Sequence, residues 1–156
     1  MKFFKPDEYL AEVLSAYQLV QARVLQAVPF AEIEHIGSSA IHGAISKGDL
    51  DILARVPAAR FTEALEIIQT LDFSIKEGTL RTESLCMLET SRYGIDVAIQ
   101  LIEQGSEFEG FVVFRDRLNA NPDLVEEYND LKRRATGLSP TDYRAIKSKF
   151  IEKVLG

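Results

Sequence analysis

The run Asp49-Leu50-Asp51-Ile52-Leu53-Ala54-Arg55-Val56 constrains the fold more than any other stretch of the chain. Polar and apolar residues alternate along it with period two, the pattern of a strand with one face in a core and one face out of it. A chain holding such a strand must supply further strands to pair with it and apolar helices to cover it. Both are visible. Residues 7 to 28 place Leu10, Val13, Leu14, Tyr17, Val24, Leu25 and Val28 at helical spacing, and Pro29 stops that helix. A short strand is expected at about 31 to 36, then one or two helical turns over 38 to 44. Helical spacing returns over 58 to 71. Strand-like runs at 73 to 76, 84 to 90 and 95 to 102, separated by Glu77-Gly78 and Tyr93-Gly94, read as an antiparallel meander.

The last third is helical. One helix starts near Ser106. A second is announced by Asn121-Pro122-Asp123, a capping side chain followed by proline in the first turn. A third opens at Ser139-Pro140-Thr141-Asp142. The expected class is α+β, a mixed sheet flanked by helices with a helical C-terminal portion. It is one domain over 1–156, with residues 7–104 forming the helix and sheet core and 105–156 the helices packed on it.

Composition narrows the function. The chain has 156 residues, 46% of them apolar and 27% charged. That is enough to bury a core without disulfides or metals. Its single cysteine, Cys86, lies between apolar neighbours and reads as a buried thiol. No apolar run approaches the ~20 residues of a membrane span, and no secretory leader is visible, so the protein reads as cytoplasmic with no membrane partner. A net charge of −6 argues against a nucleic-acid partner. A nucleotide remains compatible, because a metal can bridge acidic protein to acidic phosphate.

Asp49 and Asp51 lie two apart on the strand and so share a face, with Cα atoms roughly 6.6 Å apart. Two carboxylates so placed can converge on a cation; without one they repel, and the pKa of one is raised. The bland reading is a solvated sheet edge. Ile36-Gly37-Ser38, where a strand runs into a helix, suits close approach of backbone to phosphate. Asp96 lies between apolar neighbours on the face shared with Ala98 and Gln100. Three carboxylates can hold two divalent ions for an in-line phosphoryl displacement.

Gly37-Ser38, ten intervening residues, Asp49-x-Asp51 and a later Asp96 resemble the signature of the DNA polymerase β-type nucleotidyltransferase superfamily. More closely, the chain resembles the GrpB family. The residues carrying that likeness are Glu34-His35-Ile36-Gly37-Ser38, Gly43, Lys47 and Leu50-Asp51-Ile52. In the C-terminal half they are Phe114-Arg115-Asp116-Arg117-Leu118, Asn121-Pro122, Glu127-Tyr128, Leu131-Lys132 and Tyr143, Lys147 and Phe150-Ile151. The likeness runs over roughly 30 to 155 and is poor over 73 to 94. Many relatives read Lys-Pro-Ile-Ile-Asp-Ile, with only the second carboxylate, and often carry His-x-His near the positions of Ala98 and Gln100. This chain departs from them toward the superfamily's full acidic triad.

The resemblance implies a nucleotidyltransferase-like sheet and a metal-dependent transfer of a nucleoside monophosphate from a nucleoside triphosphate to a small-molecule or protein hydroxyl. Asp49, Asp51 and Asp96 would bind Mg²⁺ or Mn²⁺ and act in catalysis. Gly37, Ser38, Lys47, Arg115 and Lys147 would bind the nucleotide. The rival from another class is a non-catalytic nucleotide- or partner-binding regulatory module; a purely structural interaction protein is the third.

Arg115 and Lys147 also emerge from periodicity, since each falls among apolar residues of its helix. A cation there reaches either a substrate phosphate or a structural carboxylate. Lys132, Arg133 and Arg134 read as a solvated face at a helix end. His35 reads as structural or as a support for the site, and His42 as a surface residue near the pocket. No Cys or His spacing suggests zinc, and Ser38 lacks the surroundings of a serine nucleophile.

Overall fold

The computed structural model describes residues 1–156. Helix α1 (Pro6–Ala27) leads into strand β1 (Glu32–Ile36) and a single 3-10 turn at Ser38–Ala40. An irregular stretch brings the chain to β2 (Leu50–Val56) and helix α2 (Phe61–Gln69). Strands β3 (Ser74–Ile75), β4 (Leu85–Thr90) and β5 (Val97–Glu103) follow, and then helices α3 (Gly110–Asn119), α4 (Pro122–Arg134) and α5 (Pro140–Leu155). The sheet order is β1-β2-β5-β4-β3. β2 and β5 are parallel and the other pairs are antiparallel. The meander over β3 to β5 forms as expected, and β5 then inserts beside β2.

Alternation decides the two faces of the sheet. Leu50, Ile52, Ala54 and Val56 of β2, with Val97, Ile99 and Leu101 of β5, join the main core beneath α1 and α2. On the other face Ile36, Leu53, Leu85 and Ile102 pack under Phe108 and Phe111. A further core ties Ile41 and Ala44 to Phe114, Tyr128, Tyr143 and Phe150. The three C-terminal helices are therefore seated beside the end of the sheet where β2 begins. The two expected caps form: Asn121 accepts from the Asp123 amide at 3.1 Å, and Ser139 Oγ from the Asp142 amide at 3.1 Å.

Three expectations shift. The buried stripe of α1 is Tyr9, Val13, Ala16, Val20 and Val24, while Leu14 is exposed. Small side chains at 16, 20 and 24 let the helix lie close on the sheet, and bulk rather than hydrophobicity sets its rotation. The segment after Gly37 makes one 3-10 turn, so no helix field concentrates there. Lys132 is not on a solvated face: it is 1% exposed, whereas Arg133 and Arg134 are exposed.

Candidate active site

Two register facts build the site. In the β1·β2 pairing Ile36 stands opposite Asp51, so Gly37 emerges beside the Asp51 side chain. Gly37 has φ 75° and ψ −173°, a conformation other residues avoid, and a Cβ on it would lie 2.5 Å from Asp51 Oδ2. In the β2·β5 pairing Leu50 stands opposite Val97, and the Leu50 amide donates to the Asp96 carbonyl at 2.9 Å. Asp49 and Asp96 are therefore level, each one residue before its strand.

Asp49, Asp51 and Asp96 border one cleft of about 830 Å³, where they are joined by Lys47, Lys76 and Glu89. Asp51 is half-buried at its floor and Asp96 is exposed at its mouth. Burial raises the pKa of Asp51, the Asp49 charge adds to this, and Lys147, Lys76 and Lys47 oppose it. No three His, Cys, Asp or Glu side chains stand close enough together to hold a metal ion on their own. The donor set is all oxygen and fits Mg²⁺ held jointly with substrate phosphates, since Mg²⁺ takes one or two carboxylates and keeps its other positions for water or phosphate. The Asp51 carboxylate, buried beside a second one, is a group that a cation would relieve.

Cationic and aromatic side chains stand near Asp49 and Asp51. Lys147 of α5 has its charged form favoured by Tyr128 foremost, then Tyr143, Asp51 and Asp49, against the cost of burial. Lys47 lies 5.9 Å from the Tyr143 ring centroid. Lys132 of α4 donates to Ser38 Oγ at 2.6 Å and to the Ile45 carbonyl at 2.5 Å, and its ammonium sits 3.9 Å from the Tyr128 ring centroid. Burial pulls the Lys132 pKa down to about 6, with Lys147 acting in the same direction and Asp49 against it.

The site therefore draws together Gly37, Ser38, Lys47, Asp49, Asp51, Asp96 and Lys147. It does not draw in Arg115. That guanidinium donates to the His35 carbonyl at 2.8 Å and pairs with Glu34 at 3.0 Å, tying α3 to β1. Arg115→Ala is expected to cost about 1–3 kcal/mol of stability, as for a hydrogen-bonded charge, while nucleotide affinity stays within about twofold because the lost bonds are not in the cleft. Denaturant titration and a binding isotherm check the two halves separately.

His35 serves the frame. Its Nε2 lies 2.8 Å from Ser39 Oγ, its ring stacks on Tyr17 at 5.0 Å, and burial lowers its pKa to about 4. His42 is exposed. Cys86 is buried with its thiol pKa raised by burial.

Lys132 is the residue that sequence reasoning missed. The signal was present: Val125, Tyr128, Asn129 and Lys132 follow i, i+3, i+4, i+7 spacing and are the buried stripe of α4.

A mixed five-stranded sheet with acidic residues at the start of two adjacent parallel strands, a Gly-Ser turn beside them and helices along one side defines a nucleotidyltransferase-like fold. Comparison with known proteins agrees. The crystal structure of the conserved protein GrpB from Enterococcus faecalis superposes with a TM-score of 0.75 at 20% identity, covering 99% of this chain and 96% of that one. The MgGTP-bound Cid1 poly(U) polymerase superposes with a TM-score of 0.60 at 14% identity, over 83% of this chain and 43% of that one. The chain belongs to the GrpB family: the family model described as GrpB protein matches residues 7–156. A UPF0157 protein of Vibrio cholerae is 51% identical over 156 residues, all of this chain and 82% of its own length. The glutamate-rich protein GrpB of Alkalihalophilus pseudofirmus is 27% identical over 138 residues, 80% of this chain and 76% of its own length.

No helix is long and apolar enough to cross a membrane.

Proposed function

We propose that the chain is a metal-dependent nucleotidyltransferase that moves a nucleoside monophosphate from a nucleoside triphosphate to a hydroxyl of a small molecule or protein. The observation that carries this reading is the close approach of Gly37 to Asp51, which joins a phosphate-compatible turn and a carboxylate pair in one site. The fold likeness to Cid1, captured with MgGTP and with MgATP, supports it.

Each residue has a role in this reading. Gly37 lets a phosphate approach the backbone, and the Ser38 hydroxyl donates to a phosphate oxygen. Lys47 and Lys147 neutralise phosphate charge near Asp49 and Asp51. Asp49, Asp51 and Asp96 would hold Mg²⁺ or Mn²⁺ together with the phosphates, which would supply charge neutralisation at the reacting phosphoryl group. Asp96, exposed at the mouth, takes the proton of the acceptor hydroxyl. The acceptor oxygen bonds to the α-phosphorus, the bond from that phosphorus to the bridging oxygen breaks, and pyrophosphate leaves with the electron pair. The net charge of −6 favours a small-molecule or protein acceptor over nucleic acid.

The test is thermal melting with Mn²⁺ and each of the four nucleoside triphosphates. At 100 times the dissociation constant a ligand stabilises by ~2.7 kcal/mol, or roughly 5–10 °C for a chain of this size. The expected result is a rise that needs both metal and one triphosphate, followed by pyrophosphate release with that nucleotide. A rise with no pyrophosphate under any acceptor leaves a binding module. No rise with any triphosphate overturns the reading.

A further inference from the structure

We propose that Lys132 is the positioning residue of the phosphate-binding turn: from α4 its Nζ–H donates to Ser38 Oγ and fixes the hydroxyl so that the hydroxyl hydrogen is offered to a terminal phosphate of the substrate. The inference rests on the nucleotide reading above.

Ser38 and Lys132 are separated by 94 residues of chain, yet their side chains meet at 2.6 Å. Because Lys132 donates to Ser38 Oγ, the serine must turn its own hydrogen elsewhere. It turns it to the Tyr128 hydroxyl, at 3.4 Å. That bond is loose, and an entering phosphate oxygen can replace it. The bond donated to Ser38 Oγ also polarises the O–H group and strengthens it as a donor.

Anchoring the loop does not account for this arrangement. Ala44, Ile45 and Ser46 of the irregular stretch before β2 are buried, so their backbone groups need partners. Asn129 already holds the stretch: it accepts from the Ile45 amide at 2.9 Å and donates to the Gly43 carbonyl at 2.9 Å. The Tyr9 hydroxyl donates to the Ala44 carbonyl at 2.7 Å. Lys132 serves the Ile45 carbonyl, but its bond to Ser38 satisfies no backbone group. The charged and polar groups around Lys132 Nζ are Ser38, the Tyr128 ring, Lys147 of α5, and Lys47, Asp49 and Asp51 around the start of β2.

The experiment is a double-mutant cycle on the affinity for inorganic tripolyphosphate in the presence of Mn²⁺, measured by calorimetry. It compares the wild type, Ser38→Ala, Lys132→Met and the double variant, with denaturant titration reporting stability separately. Each single variant is expected to bind about tenfold more weakly, the range for a hydrogen bond to a charged group. The double variant is expected to bind no more weakly than the weaker single, within about twofold, because one residue acts through the other. Lys132→Met that loses stability but keeps wild-type affinity makes Lys132 a loop anchor and overturns the proposal. Additive losses overturn it as well.

Should Lys132→Met fail to fold, the wild type labelled with ¹⁵N at lysine Nζ gives the answer. The Lys132 resonance is expected to move on adding tripolyphosphate and to stay put in Ser38→Ala. No movement in the wild type overturns the proposal. A wild type that binds neither tripolyphosphate nor any nucleoside triphosphate overturns the nucleotide reading itself, whereas phosphate binding indifferent to Lys132 overturns only this inference.

Discussion

Asp51→Asn is expected to lower turnover by about 10²–10³-fold or more, the scale for losing one electrostatic contact to the reacting group, while the protein melts at a higher temperature than the wild type above neutral pH. The two effects have one cause. Asp51 is half-buried beside Asp49, so its carboxyl binds a proton more tightly in the folded chain than in the unfolded one. Between the ordinary carboxylate range and this raised value the folded state holds more protons, so stability falls as pH rises through that interval. Above it the ionised group is a standing cost. Asparagine keeps the shape and removes the charge. A gain of about 1 kcal/mol corresponds to roughly 2–4 °C at this size. The difference between variant and wild type should be smallest near the ordinary carboxylate range and largest above the raised pKa. Melting curves across pH with saturating Mn²⁺ left out check this. If the variant melts lower at every pH, the attraction of Asp51 to Lys147, Lys76 and Lys47 outweighs its burial, and the carboxylate is a structural partner instead. Such a stability cost retained at a site is what a binding function for a cation predicts.

Much of this arrangement was legible in the chain because it depends on local pattern. Alternation over Asp49 to Val56 gave the strand and put Asp51 opposite its apolar face, and the capping residues Asn121 and Ser139 marked two helix starts. What escaped depends on groups distant in sequence. Asp96 falls inside a strand by its sequence, but pairing stops at Val97, and its place level with Asp49 follows from a parallel neighbour 47 residues away by number. Arg115 showed as a cation on a packing face, and only the β1 backbone and Glu34 decide where it points. Lys132 sits in a Lys-Arg-Arg run that suits any helix C-terminus. Its partners, Ser38 Oγ and the Ile45 carbonyl, lie some ninety residues earlier in the chain. Its place on the buried stripe of α4 is periodic, but the groups it meets there are distant in sequence.

Gly37→Ala is expected to damage fold and site together. The glycine lies in a region of backbone space that costs other residues about 1–3 kcal/mol, or roughly 2–12 °C in melting temperature at this size. Its new Cβ would also stand 2.5 Å from Asp51 Oδ2 and 2.9 Å from Asp51 Cβ, so either the turn or β2 must move. Gly78 supplies the control, because it has the same φ of 75° with no atom within 4 Å of a Cβ built on it. Gly78→Ala should lose stability from backbone strain alone and keep the response to Mn²⁺ and nucleotide. Gly37→Ala should lose more and show no ligand-dependent rise in melting temperature. Equal losses in the two variants, with the ligand response of Gly37→Ala intact, would mean that the turn tolerates displacement from Asp51. The turn and the carboxylate pair would then be neighbours rather than parts of one site. A larger loss in Gly37→Ala ties them together, because the only difference in crowding between the two positions is the Asp51 side chain.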